Sequence, residues 1–295
     1  MLSSVVSAVA LAGAATASVE CARGLHIIVA RGSNEDAGTG ITGTLADRIA
    51  DRIPGSNVAA LDYPATITDP AYFESVDDGS DEMRDVLQEY IDECPGGKVA
   101  VMGYSQGAQV SADAFCGDVT TSGFGDEDGL PFQLVDDPIV AIVLFGDPSH
   151  VANATYNRGT ADSDGLFPRR DQDECEKLGS RIVSYCDEGD EYCDLSGERD
   201  YDVHGEYVQR YGDEVVDFVV DRYQSVASGT DSSTSVTTPT PTPTPTSGGS
   251  GSDSEDEATG TGESGAEETG EGGDSAAAAM LPSLGLVALL GMAML

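Results

Sequence analysis

Five residues carry the strongest chemical signal in this chain: Gly103, Tyr104, Ser105, Gln106 and Gly107. They follow the apolar run Val99-Ala100-Val101-Met102, which reads as a buried parallel strand. They precede Ala108, Val110, Ala112 and Ala114, small residues suited to a helix packed closely on a sheet. Gly-x-Ser-x-Gly between a strand and a helix is the spacing of a nucleophile elbow. There the serine hydroxyl projects from a sharp turn, and only glycine-sized neighbours tolerate the close backbone approach. A glycine-rich turn with a solvated serine has the same five letters, so the assignment depends on partners.

A serine hydroxyl becomes a nucleophile when a base takes its proton, and imidazole is the usual base. The chain has three histidines. His26 falls inside the first apolar run and belongs to the core or a sheet face. His150 and His204 both follow Ser105, in keeping with the order serine, acid, histidine. Only His204 leaves strands between itself and the serine to hold an acid, so it is the expected base. Asp187, Glu188, Asp190 and Glu191 lie between Cys186 and Cys193 and all qualify as that acid. Spacing alone does not choose among them. Asp147, before Pro148, reads as a turn aspartate.

The elements that must position these groups alternate. Leu25-His26-Ile27-Ile28-Val29-Ala30 predicts a first strand, and apolar residues at 41, 45, 49 and 53 predict a helical face. Val58-Ala59-Ala60-Leu61 predicts a second strand; Met83, Val86, Leu87, Tyr90 and Ile91 line the next helix. After the serine turn and its helix come strands over 139–145 and 181–185 and a last helix over 204–223. Strands alternating with helices predict an α/β fold with a doubly wound parallel sheet, whose ligands sit beyond the carboxyl ends of the strands.

The 295 residues carry a formal charge of −39, which excludes a nucleic-acid-binding surface. Residues 1–17 are small and apolar and end in Ala15-Thr16-Ala17, predicting a secretory signal peptide. The folded domain is expected over 18–224. Residues 225–275 hold Thr-Pro repeats and acidic Gly/Ser-rich sequence, a composition expected to stay disordered as a stalk. Residues 276–295 form an apolar tail after small residues, the pattern of a glycosylphosphatidylinositol-anchor signal. A transmembrane tail is the rival reading, but no basic flank accompanies it. Six cysteines, all in the domain, argue for three disulfides. No zinc-type spacing is present, so neither a metal nor a cofactor is expected. Asn153-Ala154-Thr155 is an N-glycosylation acceptor sequence. The expected protein is an extracellular monomer that meets the membrane only through its anchor.

Four motifs in this order resemble the cutinase family of serine esterases, which also contains fungal acetylxylan esterases and mycobacterial cutinase-like proteins. They are ARGSNE (30–35), YPA (63–65), GYSQGAQV (103–110) and CDEGDEYC (186–193), and the resemblance spans about 21–223. It implies a lidless α/β-hydrolase fold, a central parallel sheet flanked by helices, and ester hydrolysis through an acyl-enzyme. It selects Asp190 as the acid and His204 as the base for Ser105. It implies Ser33 as one oxyanion donor, beside the Gln106 N–H that elbow geometry itself requires. It also implies the disulfides Cys21–Cys94, Cys116–Cys175 and Cys186–Cys193. Arg31 and Glu35 are read as an ion pair bracing the Ser33 turn.

Residues 194–203, DLSGERDYDV, depart from the family's apolar flank beside the histidine, while Pro70-Ala71-Tyr72-Phe73 opposite is more apolar. Cutin-like or short-to-medium acyl esters are the expected substrates. An acetylated polysaccharide is the alternative, and a catalytically silent cell-wall protein is the third reading.

Overall fold

The structure is a computed structural model that describes residues 19–229 except Thr120, Ser122, Glu198 and Tyr201. The expected signal peptide, the anchor tail and nearly all of the expected stalk lie outside the described residues. Six strands occur in chain order: β1 (Leu25–Ala30), β2 (Asn57–Ala60), β3 (Lys98–Tyr104), β4 (Ile139–Phe145), β5 (Asn157–Arg158) and β6 (Ile182–Tyr185). The helices are α1 (Gly43–Arg52), α2 (Tyr72–Glu93), α3 (Gln106–Cys116), α4 (Phe132–Val135), α5 (Asp173–Lys177) and α6 (Tyr207–Ala227).

All strand pairs are parallel, in the order β2-β1-β3-β4-β6-β5. β4 is Ile-Val-Ala-Ile-Val-Leu-Phe and every residue in it is buried, as a strand covered on both faces requires. On one face Ile28, Val101, Ile142 and Leu144 pack with Val76, Met83 and Leu87 of α2 and Ala108 of α3. On the other, Ile27, Val29, Val143 and Phe145 pack with Leu45 and Ile49 of α1 and Val215, Val216, Val219 and Val220 of α6. The strand order reverses between β1 and β3, because the chain first steps outward to β2 and then back past β1. Such a switch point opens a crevice at the carboxyl ends. Two loops meet there: the Ser33 turn after β1 and the Ser105 turn after β3.

The structure differs from the sequence-based reading in several places. Helix α1 starts at Gly43, and Ile41 is 38% exposed, because its N–H is taken by the Glu35 carboxylate 2.8 Å away. Helix α2 begins at Tyr72, well before the apolar stripe at Met83. Its early inward positions are Ser75, Val76, Gly79 and Ser80, mostly small residues because space is short: a Cβ on Gly79 would lie 2.6 Å from the Tyr63 ring. The two-residue edge strand β5 is too short to leave a periodic signal. Helix α6 continues through Ala227, three residues into the segment assigned to the stalk.

Three disulfides are formed. Cys21–Cys94 ties the segment before β1 to the end of α2, Cys116–Cys175 ties α3 to α5, and Cys186–Cys193 closes the loop after β6. They fit an oxidising, extracellular setting. Among the described residues no helix is long and apolar enough to cross a membrane, and no cluster of His, Cys, Asp or Glu could hold a metal ion.

Candidate active site

Ser105 occupies the turn between β3 and α3 with φ 54° and ψ −120°, a conformation an L-residue adopts only under constraint. Its N–H still bonds the Phe145 carbonyl at 2.8 Å, so the sheet ladder runs up to the turn. The flanking glycines are sterically required. A Cβ on Gly103 would stand 2.3 Å from the Gly107 carbonyl oxygen, and one on Gly107 would stand 2.1 Å from the Ala30 carbonyl oxygen. The second contact also presses the elbow against the end of β1.

Gln106 opens α3, where a first-turn N–H has no intrahelical acceptor. Its fully buried side chain is held away from the turn: Ser75 Oγ donates to its Oε1 at 3.0 Å, and its Nε2 donates to the Thr66 carbonyl at 2.9 Å. Ser33 sits half-buried in the turn after β1. The expected Arg31–Glu35 ion pair does not form; both side chains instead brace the turn through backbone groups. Arg31 is buried and donates to the carbonyls of Glu35 (3.1 Å), Tyr63 (2.7 Å) and Pro64 (3.2 Å). The Glu35 carboxylate accepts the N–H groups of Gly32 (2.6 Å) and Ile41 (2.8 Å). The guanidinium is drawn to several converging carbonyls, and the carboxylate to amides within its own loop, so neither is left for the other.

His204 lies in a 3-10 turn, Val203–Gly205, just before α6. Its Nδ1 donates to Asp190 Oδ2 at 2.8 Å. Its Nε2 is buried and has no hydrogen-bond partner within the protein. The ring stacks at a tilt against Tyr104, the residue before Ser105, at 5.1 Å between centroids, and against Tyr192 at 4.4 Å. Asp190 is fully buried in the Cys186–Cys193 loop. Its Oδ1 accepts the N–H groups of Tyr192 (2.9 Å) and Cys193 (3.3 Å), and its Oδ2 also accepts the Tyr207 hydroxyl at 2.6 Å. Burial pushes the carboxyl up, but the His204 bond and charge, with the Tyr207 and Tyr192 donors, outweigh it. The net pKa lies below the usual carboxylate value.

The other candidates are placed elsewhere. Asp187 is buried and accepts from Thr160 N at 3.0 Å, from Tyr211 Oη at 2.6 Å and from Arg210. Asp147 accepts both the N–H and the hydroxyl of Ser149 at 2.7 Å, as a turn aspartate does. His150 is buried with neither ring nitrogen hydrogen-bonded, so it has no acid partner. His26 stacks on Tyr90 at 4.2 Å near the amino end of β1 and donates to Asn57 Oδ1 at 2.6 Å. The charged flank of residues 194–203 is partly turned inward. Asp194 is buried, accepting from Gly189 N at 3.0 Å and Ser196 Oγ at 2.6 Å, while Leu195 is 45% exposed. Tyr207 escaped the sequence reading because it looks like the first apolar residue of a helix stripe.

The strand order and the strained serine turn place the molecule in the α/β-hydrolase class of folds. Within that class the match is specific. The cutinase family profile covers residues 21–223, and the chain belongs to that family of serine esterases. It is 29% identical over 226 residues to an acetylxylan esterase of Hypocrea jecorina, an alignment covering 72% of each chain. It is 29% identical over 210 residues to cutinase 11 of Verticillium dahliae, covering 69% of this chain and 70% of that one. The solved catalytic core of an acetyl xylan esterase from Trichoderma reesei superposes with a TM-score of 0.63 at 29% identity. That superposition spans 69% of this chain and 100% of the core.

Proposed function

We propose that Ser105, His204 and Asp190 form the catalytic set of a carboxylic ester hydrolase, with the backbone N–H groups of Gln106 and Ser33 as the oxyanion hole. The observation that carries this reading is the buried Asp190–His204 bond of 2.8 Å, which leaves His204 Nε2 unpartnered beside the serine turn. His204 Nε2 takes the proton as Ser105 Oγ bonds to the ester carbonyl carbon. Asp190 holds the tautomer and stabilises the imidazolium. The two N–H groups take the developing oxyanion, each such donor supplying about 3 kcal/mol of transition-state stabilisation. The tetrahedral intermediate collapses, His204 returns the proton to the leaving alkoxide, and an acyl-Ser105 ester remains. Water, activated by the same imidazole, then releases the acid.

The substrate reading is an ester of a short-to-medium acyl chain. Five large apolar side chains are exposed among the described residues: Ile41, Ile67, Leu166, Tyr192 and Leu195. All five lie in loops that follow the carboxyl ends of parallel strands, the same end of the sheet at which the Ser105 turn follows β3. They supply apolar contact worth about 0.8 kcal/mol per buried methylene. The acetylxylan esterase relative supports the second reading, a deacetylase acting on an acetylated polysaccharide. Initial rates on p-nitrophenyl acetate, butyrate and decanoate and on acetylated xylan separate the two. A rise from acetate to butyrate supports the first reading, and acetate release from xylan with no gain on butyrate supports the second. Full activity in Ser105→Ala overturns both.

The proposed setting is the cell surface, reached through a signal peptide over 1–17 and a lipid anchor replacing 276–295. Asn153 is exposed and proposed as a glycan site. Release of the protein from intact cells by phosphatidylinositol-specific phospholipase C tests the anchor, and retention of the C-terminal peptide refutes it.

A further inference from the structure

We infer that Tyr207 is a positioning residue that sets the basicity of His204 by donating to the same carboxylate oxygen. This rests on the proposed roles of Ser105, His204 and Asp190. Asp190 Oδ2 receives two donors, His204 Nδ1 at 2.8 Å and Tyr207 Oη at 2.6 Å. The phenol is fixed from its other side, because its oxygen accepts the Asp187 N–H at 3.1 Å. Its ring is 1% exposed and packs on Phe145, so the hydroxyl cannot turn to water. Asp190 Oδ1 is occupied by two loop amides. Among the described residues, the Tyr207 hydroxyl is therefore the side-chain donor that shares Oδ2 with His204.

The chemical consequence has a definite sign. An imidazolium is stabilised by the charge its carboxylate partner can offer, and a phenol drawing on that oxygen lowers the charge available. Tyr207 thus limits the negative charge that Asp190 Oδ2 offers the imidazolium. Among the described residues, Tyr104 on β3 and Tyr192 on the acid's own loop lie against the His204 ring, His150 after β4 acts electrostatically with Asp190, and Asp187, whose N–H bonds the Tyr207 oxygen, is paired to Arg210 on α6. Oδ2 accepts from His204 Nδ1 and from the Tyr207 hydroxyl.

The test is the pH profile of kcat/KM on p-nitrophenyl butyrate for the wild type, Tyr207→Phe, and a variant carrying site-specifically incorporated 2,3,5-trifluorotyrosine at 207. Removing the donor should move the acid-limb midpoint upward by about half to one pH unit. It should lower kcat about tenfold with KM within twofold, since substrate does not touch the phenol. The fluorinated phenol is a stronger donor in the same shape and should move the midpoint downward. A role in stability alone lowers the active fraction and leaves both midpoints where they were. Unmoved midpoints, or a fluorotyrosine shift upward, overturn the inference. If Tyr207→Phe does not fold, the sign of the fluorotyrosine shift decides alone. Inactive Ser105→Ala beside unmoved midpoints leaves the esterase reading standing and removes only the role of Tyr207.

Discussion

A Cβ on Gly146 would lie 2.7 Å from Cε1 and 2.8 Å from Nδ1 of His204. Gly146 follows β4 at φ 60°, with its N–H bonded to the Tyr185 carbonyl at 2.9 Å. Glycine there meets two demands at once: a left-handed turn, and room for the imidazole next to the sheet. Gly146→Ala should therefore displace the ring by a fraction of an ångström and lower kcat about 100-fold, the scale of such a misplacement. Measured kcat within threefold of wild type would show that the ring tolerates the methyl.

Ser105 holds a positive φ, and strain of this kind costs about 1–3 kcal/mol. Ser105→Ala should abolish hydrolysis and leave the fold intact, and a fluorophosphonate probe should label Ser105 alone. Ser105→Gly should be equally inactive and more stable, by about 1 kcal/mol, raising Tm about 2–4 °C. Calorimetry of the three proteins checks this; a glycine variant that melts below wild type contradicts it.

Arg169 and Asp113 form a buried ion pair, with 4% and 1% side-chain exposure, and Arg169 also donates to the Gly117 carbonyl. Burial pushes the Asp113 carboxyl up to about 7 even though Arg169 opposes the shift. Arg169→Leu removes that opposition and should cost about 3–5 kcal/mol at neutral pH. The folded-state pKa then stands well above the unfolded one, so the folded state binds the extra proton between them. Stability is full below the unfolded value and falls as pH rises toward and through 7. Melting between pH 5 and 8 should show the variant losing Tm with rising pH more steeply than wild type. Parallel curves would speak against it.

The Cys186–Cys193 and Cys21–Cys94 bridges span 7 and 73 residues of sequence. In the chain-entropy model their removal costs about 2 and 4 kcal/mol respectively. Activity should follow the reverse order, because Asp190 sits inside the short loop. The double Cys186→Ala, Cys193→Ala variant should lose over tenfold in kcat while folded. The Cys21→Ala, Cys94→Ala variant should keep its kcat at a temperature where it remains folded. Equal losses of kcat in the two variants would break the link between loop and acid.

The order of elements and the strained serine turn were legible in the sequence because both are local. Alternating apolar runs announce a parallel sheet, and Gly103-x-Ser105-x-Gly107 spells a single turn, although the demand for glycine at 107 comes from the Ala30 carbonyl at the end of β1. Chain order pointed to His204 as the proposed base, while spacing left four acids open and only the family resemblance implied Asp190. What the tertiary structure decided depends on contacts between segments far apart. Tyr207 reads as an apolar helix residue until α6 docks and brings its hydroxyl to Asp190. Asp194 reads as a solvated charge until the loop amide of Gly189 turns it inward, and Arg31 reads as a partner for Glu35 until the carbonyls of residues 63 and 64 converge on it. Sequence patterning reports which side of an element meets water. Which donor meets which oxygen is fixed only when the elements pack, since burial then makes each polar group find a partner among those brought within reach.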